Sequence, residues 1–409
     1  MTYDHGAGGA RPSLTPPEFA SALAQPRVAS PATIVPAAVS QAPVPVPATV
    51  SPRSGRSAPI WIVGILVLVL VAIVGYFLNA IGPGASLVGM LLALIPLAGV
   101  VFAVRLVDRW EPEPRGLLIL AVAWGAIAAV GIALGVDLLI TMAFGNDGST
   151  LREALTVVVQ APVVEEVAKG IGVFLIFVTA RRAFDGPVDG IVYGALIGAG
   201  FAFTENIQYF AISFIEGGAA ETSTTFFMRG ILSPFAHVMF TSVTGFALGL
   251  AARKGLSASH AVGPWLLGLA GAIALHALWN GSAMFGDFFG LYMTLQIPLF
   301  VGFILGVIAL RREESRLTRR RLGEYAAAGW FTPQEVDMLA TPAGRRAALG
   351  WAKSLRGDRT PLMRGFIGDA TALAATRQRA ITGRDPDAAS DERDLLARTA
   401  AARAALFAP

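Results

Sequence analysis

Long apolar segments between residues 59 and 310 are the feature that most restricts the fold, and each is near the ~20 residues that a helix needs to cross a bilayer. They cover residues 59–80, 85–107, 116–144, 154–179, 187–213, 225–251, 262–284 and 288–310. Only 15% of the residues are charged, against roughly 25% in an ordinary soluble domain, and the mean hydropathy is +0.61. The sequence therefore predicts an all-α, multi-pass bundle of about eight transmembrane helices in the cell membrane.

Two regions of different composition flank this predicted membrane domain, residues 58–310. Residues 1–57 are rich in proline and alanine without periodicity, which is typical of a disordered tail. Residues 311–409 carry many arginines, and Thr332-Pro-Gln-Glu335 is typical of a helix N-terminus. We expect this last region to be small, cytosolic, basic and helical, with two short helical pieces that are separated near residues 357–361.

The placement of basic residues between the apolar segments indicates the orientation. Most of them fall on one side of the predicted bundle, namely Arg53, Arg56, Arg105, Arg109, Arg115, Arg181, Arg182, Arg253, Lys254, Arg311 and Arg312. The opposite loops hold Arg152, with Arg229 at the end of a segment. The positive-inside rule makes the richer side cytoplasmic, so both termini are predicted to be cytoplasmic.

Charge and cysteine content narrow the classes of function. A net charge of +4 is small for 409 residues and gives no support for nucleic-acid binding. The sequence contains no cysteine, which excludes disulfides, thiolate catalysis and cysteine-ligated zinc. The predicted surroundings are the lipid bilayer and partners within it.

Polar and ionisable side chains occur in four of the predicted spans. They are Glu165, Glu166 and Lys169, then Glu205 and Asn206, then His237, and finally His276 and Asn280. Ionisable groups at bilayer depth are costly and usually face a bundle interior or a wet cavity. Counted from the outer span ends at 1.5 Å per residue, all of them lie roughly 6–18 Å below the outer surface. We therefore expect four helices to contribute to one polar layer.

Each of these residues also has a purely structural interpretation. Lys169 lies four residues after Glu165 and three after Glu166, so either carboxylate can neutralise the lysine on one helix face. Adjacent helical residues point about 100° apart, so one glutamate is expected to face the cavity while the other pairs with Lys169. Asn206 and Asn280 are also explained as side chains that hold packed helices together. Asp137 is interpreted as structural or accessory. Glycines at small-xxx-small spacing predict close approach of helices, namely Gly194, Gly198, Gly245 and Gly249.

Taken together, the two carboxylates, two histidines and an asparagine amide supply what peptide hydrolysis needs: a base, a proton donor and polarisation of the carbonyl. The order of the motifs resembles the PrsW family of intramembrane proteases, relatives of the CAAX prenyl proteases. These motifs are Glu165-Glu166-x-x-Lys169, Phe201-x-x-x-Glu205-Asn206, His237 and His276-x-x-x-Asn280. The segments Asp108-Arg-Trp-Glu-Pro-Glu-Pro-Arg115 and Asp189-Gly-Ile-Val-Tyr-Gly194 also look like that family, and the resemblance covers roughly residues 90–310.

The resemblance implies a membrane-embedded endopeptidase whose substrates are single-pass membrane proteins such as anti-sigma factors, cleaved near the extracytoplasmic side. It implies catalytic roles for Glu165, Glu166, Lys169, Glu205, His237, His276 and Asn280. The second motif of the CAAX relatives usually ends in histidine, whereas this chain has Glu205.

Two chemistries remain open for these residues. In the first, His237, His276 and a carboxylate, Glu205 or Glu165, hold a divalent metal such as zinc, which matches the His₂Glu set of catalytic zinc sites. In the second, no metal is present, Glu165 is the base, and His276 and Asn280 stabilise the oxyanion. By analogy with the CAAX relatives, Glu165 is the preferred base, and Glu166 with Lys169 forms a structural pair.

Two rival classes of function use the same residues. Buried carboxylates and histidines also form proton relays and ion sites, as in an ion- or proton-coupled transporter. The sequence lacks the internal repeat and the broken helix pair that many carriers show. A third class is an inactive scaffold that binds partner helices. Cleavage of a helical substrate would exclude both rivals.

Overall fold

The computed structural model describes residues 60–407 except 146, 147, 384 and 386, so the predicted tail at residues 1–57 lies outside the described residues. The described chain is helical, as predicted. Its α-helices are α1 (Ile60–Tyr76), α2 (Pro83–Val107), α3 (Arg115–Ala123), α4 (Val130–Phe144), α5 (Thr150–Leu155), α6 (Ala161–Thr179), α7 (Pro187–Phe226), α8 (Ala236–Arg253), α9 (Ala258–Phe285), α10 (Phe288–Leu291), α11 (Ile297–Ala327), α12 (Pro333–Leu339), α13 (Pro342–Ser354), α14 (Thr360–Thr382) and α15 (Ala388–Phe407).

Short π-helical turns connect several of these helices, so the backbone stays helical from one to the next. Trp124–Ala129 joins α3 to α4, and Thr156–Gln160 joins α5 to α6. A π-turn widens the helix by one residue and is frequent at functional sites. The second of these turns leads directly into the helix that carries the two adjacent glutamates.

Among the described residues, six stretches are long and apolar enough to cross a membrane. They are Gly64–Ile81, Pro83–Val107, Arg115–Phe144, Pro187–Arg253, Ala258–Met284 and Phe288–Ala327. The chain is therefore a multi-pass helical membrane protein. The predicted count of eight spans remains a prediction, because α6 contains three ionisable residues and because two predicted spans fall within Pro187–Arg253.

The stretch Pro187–Arg253 is not one straight helix. At 1.5 Å per residue a rod of this length would measure about 100 Å, roughly three times the ~30 Å hydrocarbon thickness. Gly218 interrupts α7 with a φ of 60° and a ψ of −146°, a conformation that glycine tolerates and other residues rarely adopt. The chain thus changes direction there.

The prediction that a span runs over residues 225–251 is wrong in its first third. A π-turn occupies Phe227–Leu232, residues 233–235 leave the helix, and α8 begins at Ala236. Pro234 explains the interruption, because proline cannot donate the backbone hydrogen bond that would continue the helix. The Leu232 carbonyl instead accepts a hydrogen bond of 2.8 Å from the Tyr292 hydroxyl. His237 therefore lies in the first turn of α8 rather than deep within a span.

Glycines hold α7 and α8 at contact distance, as their spacing predicted. A methyl group added at Gly245 would lie 1.9 Å from the Gly190 carbonyl oxygen. One added at Gly198 would lie 2.4 Å from the carbonyl oxygen of His237. No side chain fits at these contacts, and the close packing fixes α7 relative to the residues on α8.

Helices α12–α15 and the end of α11 surround a second apolar core, whose most deeply buried members include Leu322, Tyr325, Leu339 and Phe366. The predicted N-terminus at Thr332 is confirmed, because its hydroxyl accepts a 3.1 Å hydrogen bond from the Glu335 amide while the Glu335 carboxylate accepts one of 2.7 Å from the Thr332 amide. The region has four helices after α11 rather than the two pieces predicted, since Thr341 forms a second N-terminal cap. The predicted boundary between residues 310 and 311 falls inside α11.

Loops of the membrane domain contact this C-terminal region on one side of the bundle. Arg345 donates a 3.0 Å hydrogen bond to the Trp110 carbonyl, and its guanidinium lies 3.4 Å from the centre of the Trp110 ring. Arg379 pairs with Asp185 at 2.6 Å. The loops before α3 and α7 therefore share one face with the C-terminal region. That this face is cytoplasmic remains a prediction.

Candidate active site

Ionisable side chains from α6, α7, α8 and α9 converge inside the bundle. Glu165, Glu166 and Lys169 extend from α6, Glu205 from α7, His237 from α8 and His276 from α9. Each of these six side chains lies within 4 Å of another member of the set. Residues separated by more than a hundred positions in the chain therefore form one cluster, as the depth argument predicted.

Lys169 lies at the centre of the cluster and is fully buried. Its Nζ is 2.6 Å from Glu166 Oε1, 3.5 Å from Glu165 Oε2 and 3.2 Å from His237 Nδ1. The ammonium also lies 4.1 Å from the centre of the Phe201 ring, a cation–π contact. A buried lysine needs such partners, because an unpaired charge in an apolar interior costs several kcal/mol.

Glu166 is also fully buried, and both of its carboxylate oxygens have partners. Oε1 contacts Lys169 and lies 3.0 Å from His276 Nδ1. Oε2 accepts a 3.0 Å hydrogen bond from the Thr241 hydroxyl. This carboxylate therefore connects α6 to α8 and α9 and has no free oxygen to offer a ligand.

Glu165, the adjacent residue, has a different environment. Its side chain is 13% exposed, and Oε2 lies 3.9 Å from His276 Nε2, beyond hydrogen-bond distance. Among the described residues this buried Oε2 has no hydrogen-bond partner. A carboxylate oxygen in this position is available to a substrate, a water molecule or a cation.

Each of the two histidines has one ring nitrogen beside a carboxylate. His237 Nε2 lies 3.0 Å from Glu205 Oε2, and His276 Nδ1 lies 3.0 Å from Glu166 Oε1. The rings are perpendicular, at 89°, with their centres 4.9 Å apart. A carboxylate that accepts from one imidazole nitrogen fixes the tautomer and leaves the other nitrogen as an electron-pair donor. The nitrogens with an available electron pair are then His237 Nδ1, which accepts a 3.2 Å hydrogen bond from the Lys169 ammonium, and His276 Nε2, which faces Glu165. A metal at His237 Nδ1 would replace the bond from Lys169.

Glu205 has a second partner that the sequence analysis did not assign. Arg229, on the π-turn before α8, forms an ion pair with Glu205 and donates a 2.7 Å hydrogen bond to Asn206 Oδ1. Its guanidinium also lies 3.9 Å from the centre of the Tyr209 ring. The only sequence signal for this role was that Arg229 is one of two basic residues assigned to the outer side. Thr241 was missed as well, because a threonine in an apolar helix is unremarkable.

Three predicted polar residues lie outside the central contacts. The Asn280 amide donates a 2.9 Å hydrogen bond to the Val157 carbonyl, in the π-turn before α6. Asn206 contacts Arg229, and Asp137 accepts a 3.0 Å hydrogen bond from Gln160. All three polar groups are engaged in joining helices or turns.

A metal-ligand set is present among the described residues, and it consists of Glu165, His237 and His276. Each offers one ligand atom, and these atoms lie within 4.8 Å of one another. Two imidazoles and one carboxylate match the His₂Glu donor set of catalytic zinc sites. The fit is supported by Oε2 of Glu165, which has no hydrogen-bond partner among the described residues. Glu205 is the other carboxylate that the sequence analysis offered for this set. It is not one of the three ligand residues, and it contacts His237 through Nε2 instead.

Comparison with known proteins agrees with the motifs. The PrsW family intramembrane metalloprotease profile matches residues 113–303, which include the whole cluster. A protease PrsW from Oceanobacillus iheyensis is 29% identical over 206 residues, which are 49% of this chain and 83% of that protein. No solved structure matches the chain.

Two further relatives align over shorter ranges. Protease PrsW from Geobacillus kaustophilus is 29% identical over 144 residues, covering 35% of this chain and 58% of the relative. The one from Clostridioides difficile is 32% identical over 156 residues, covering 38% and 63%. This chain thus spans less than two thirds of the length of these two relatives. The family profile and several distant relatives agree, and residues 113–303 of this chain match the PrsW family of intramembrane metalloproteases.

Proposed function

We propose that this protein is an intramembrane endopeptidase that hydrolyses a peptide bond in single-pass membrane proteins near their extracytoplasmic side. The observation that carries the proposal is the contrast between the two adjacent glutamates. Glu166 is saturated by Lys169, His276 and Thr241, whereas the buried Oε2 of Glu165 has no hydrogen-bond partner among the described residues and lies 3.5 Å from Lys169 Nζ and 3.9 Å from His276 Nε2. Glu166 already neutralises Lys169 at 2.6 Å, so the longer contact of Glu165 leaves its Oε2 able to accept from a substrate, a water molecule or a cation.

In this proposal Glu165, His237 and His276 hold a divalent cation, with zinc as the metal that fits the donor set. Such a cation, when bound, supplies Lewis-acid activation of water and of the scissile carbonyl. The chain's own groups prepare the site. Glu205 and Glu166 orient the two imidazoles, and the carboxylates offset the positive charge of Lys169.

The metal-free chemistry assigns the base role to Glu165 and the oxyanion contact to His276 and Asn280. Asn280 already donates to the Val157 carbonyl, so this route would require that bond to break before the amide could contact an oxyanion. Glu165 is needed in both routes. The donor set and the family description favour the metal route.

The location of the cluster supports cleavage on the outer side. His237 lies in the first turn of α8, and the far end of this helix leads to Gly255, where an added methyl group would lie 2.5 Å from the Thr382 carbonyl oxygen of the C-terminal region. The cluster and the C-terminal region are therefore at opposite ends of α8. With the C-terminal region in the cytoplasm, as the positive-inside rule predicts, the cluster lies toward the extracytoplasmic surface.

Cleavage by reconstituted protein tests the proposal. The full chain would be placed in liposomes with a single-pass reporter that carries a tag at each end, and cleavage would be measured by the size of the tagged fragments. We expect Glu165→Gln to abolish cleavage while the protein stays monodisperse. The matched control is Glu153→Gln, an exposed glutamate on α5, which should retain full activity.

The same liposomes separate the rival functions. Full activity of Glu165→Gln would overturn the assignment of that residue. Ion or proton flux through the wild-type protein, without cleavage of any of several single-pass reporters, would overturn the endopeptidase proposal in favour of transport.

A further inference from the structure

An open cleft of about 670 Å³ lies far from the polar cluster, where the membrane domain meets the C-terminal region. Its walls are the end of α2, the middle of α11 and the turn between α12 and α13. This volume falls within the range of ligand pockets, roughly 300–1,000 Å³. The proposed protease activity uses none of its residues.

One wall of the cleft is apolar and belongs to the membrane-spanning helices. Leu106 and Val107 end α2, and Val307 and Ile308 lie in the apolar part of α11. Leu106 is 52% exposed and Ile308 is 42% exposed. At this depth the exposed faces contact hydrocarbon, so the wall is suited to an acyl chain.

The basic part of the lining continues along α11, beyond Val307 and Ile308. Arg311, Arg312, Arg316 and Arg319 form it. From Arg311 to Arg316 the helix rises about 7.5 Å, which matches the headgroup layer of roughly 5–8 Å in one leaflet. The arginines nearest the apolar wall therefore lie at the depth of lipid phosphates.

These arginines are only partly neutralised. Residues 311–320 contain five arginines and two glutamates, a net charge of +3. Arg311 pairs with Glu314, and Arg319 with Asp337. Arg316 reaches Glu313 only at 3.8 Å and is 74% exposed. Arg312 forms no ion pair with any residue that the structure describes.

We propose that this cleft binds an anionic phospholipid, with the phosphate at Arg312 and Arg316 and an acyl chain along Leu106 and Ile308. Arginines at a membrane boundary are common and attract anionic lipid without a specific site. The cleft adds a shaped cavity in which the apolar and basic parts of the lining meet, and basic pockets between helices on the cytoplasmic side bind anionic headgroups. An acidic peptide would use the arginines but gain nothing from an apolar wall at hydrocarbon depth.

Lipid retention by the full-length protein tests this site independently of proteolysis. The protein in neutral detergent would be titrated with dioleoylphosphatidylglycerol or dioleoylphosphatidylcholine, and bound lipid would be counted by native mass spectrometry. The cleft variant is Arg312→Gln with Arg316→Gln. The matched control is Arg356→Gln with Arg364→Gln, which removes the same charge at exposed positions outside the cleft. Ile308→Trp fills the cleft and changes no charge.

We expect the wild-type protein to bind phosphatidylglycerol at least tenfold more tightly than phosphatidylcholine. The cleft pair should weaken phosphatidylglycerol binding about 25-fold, since each of the two arginines near an anionic surface contributes about a factor of five. Ile308→Trp should also weaken it, and the control pair should change it less than twofold. Equal losses in the two arginine pairs, unchanged binding by Ile308→Trp, or displacement of the lipid by glycerol phosphate or by an oligoglutamate peptide would each overturn the proposal.

Discussion

The polar cluster inside the bundle and the ion pairs that attach the C-terminal region use the same kinds of side chain in opposite environments. Lys169 and Glu166 are fully buried and pair at 2.6 Å. Arg182 and Asp387, by contrast, pair at 2.7 Å while their side chains are 45% and 63% exposed. In the cluster, the removal of one charge leaves another without water or partner. At the exposed pair between the membrane domain and the C-terminal region, water replaces the contact that a substitution removes, so similar ion pairs contribute very different free energies.

The largest effect is therefore expected at Lys169. In Lys169→Met the buried Glu166 carboxylate loses its counter-charge, which costs about 3–5 kcal/mol when one partner of a buried pair is removed. Thermal unfolding in detergent would measure the loss of stability. The control Lys254→Met removes an exposed lysine at the end of α8 and should leave the unfolding temperature nearly unchanged. Equal stability of the two variants would break the comparison.

The next largest effect concerns the packing that holds the cluster together. Gly245→Ala would place a methyl group 1.9 Å from the Gly190 carbonyl oxygen, forcing α7 and α8 apart at a cost of about 1–3 kcal/mol. Because Glu205 and His237 lie on these two helices, cleavage should fall as well. Gly302→Ala is the control, since nothing lies within 4 Å of an added methyl there. Unfolding and cleavage assays on both variants would check this, and an unaffected Gly245→Ala would contradict the role of close packing.

A smaller effect is expected from pH at the loop between α2 and α3, outside the membrane spans. Burial, with the nearby Asp185 carboxylate, raises the pKa of Glu111 to about 8. The unfolded chain releases this proton near pH 4.5 and the folded chain only near pH 8, so this group's contribution to stability falls as pH rises through that window. Unfolding temperatures from pH 5 to 9 should decline less steeply in Glu111→Gln. A slope identical to that of the wild-type protein would contradict the assignment.

The smallest effect is expected at the exposed ion pairs. Asp387→Ala, which removes the exposed partner of Arg182, should cost no more than about 1 kcal/mol, and salt should reduce the difference further because it screens exposed charges. Unfolding measured at low and high ionic strength would test this. A loss as large as that of Lys169→Met would show that the two regions do not differ as described.

Much of the polar cluster was predictable from helical spacing and from depth along the apolar segments. Glu165, Glu166 and Lys169 lie on one helix at fixed angles, and the other members occur at matching depth in apolar segments, where any ionisable residue is conspicuous. The glycine spacing likewise predicted the contact between α7 and α8. These features depend on helix geometry, which the sequence specifies locally.

The partners of the cluster were less predictable. Arg229 reaches Glu205 because the chain changes direction at Gly218, between these two residues, and hydropathy alone does not show which side chains that turn brings together. Thr241 and Val157 contribute a hydroxyl and a backbone carbonyl, neither of which has a sequence signal. The choice of Glu165 rather than Glu205 for the ligand set also depends on helix rotation, which distant packing determines.

Metal content is the measurement that tests the central claim most directly. The full-length protein would be purified by gentle detergent extraction, and its zinc and other divalent metals would be counted by elemental analysis beside Glu165→Gln, His237→Ala, His276→Ala and the control Glu153→Gln. The account predicts one divalent ion per chain in the wild-type and control proteins and its loss in the other three variants. Wild-type protein that cleaves a reporter without any bound metal would contradict it.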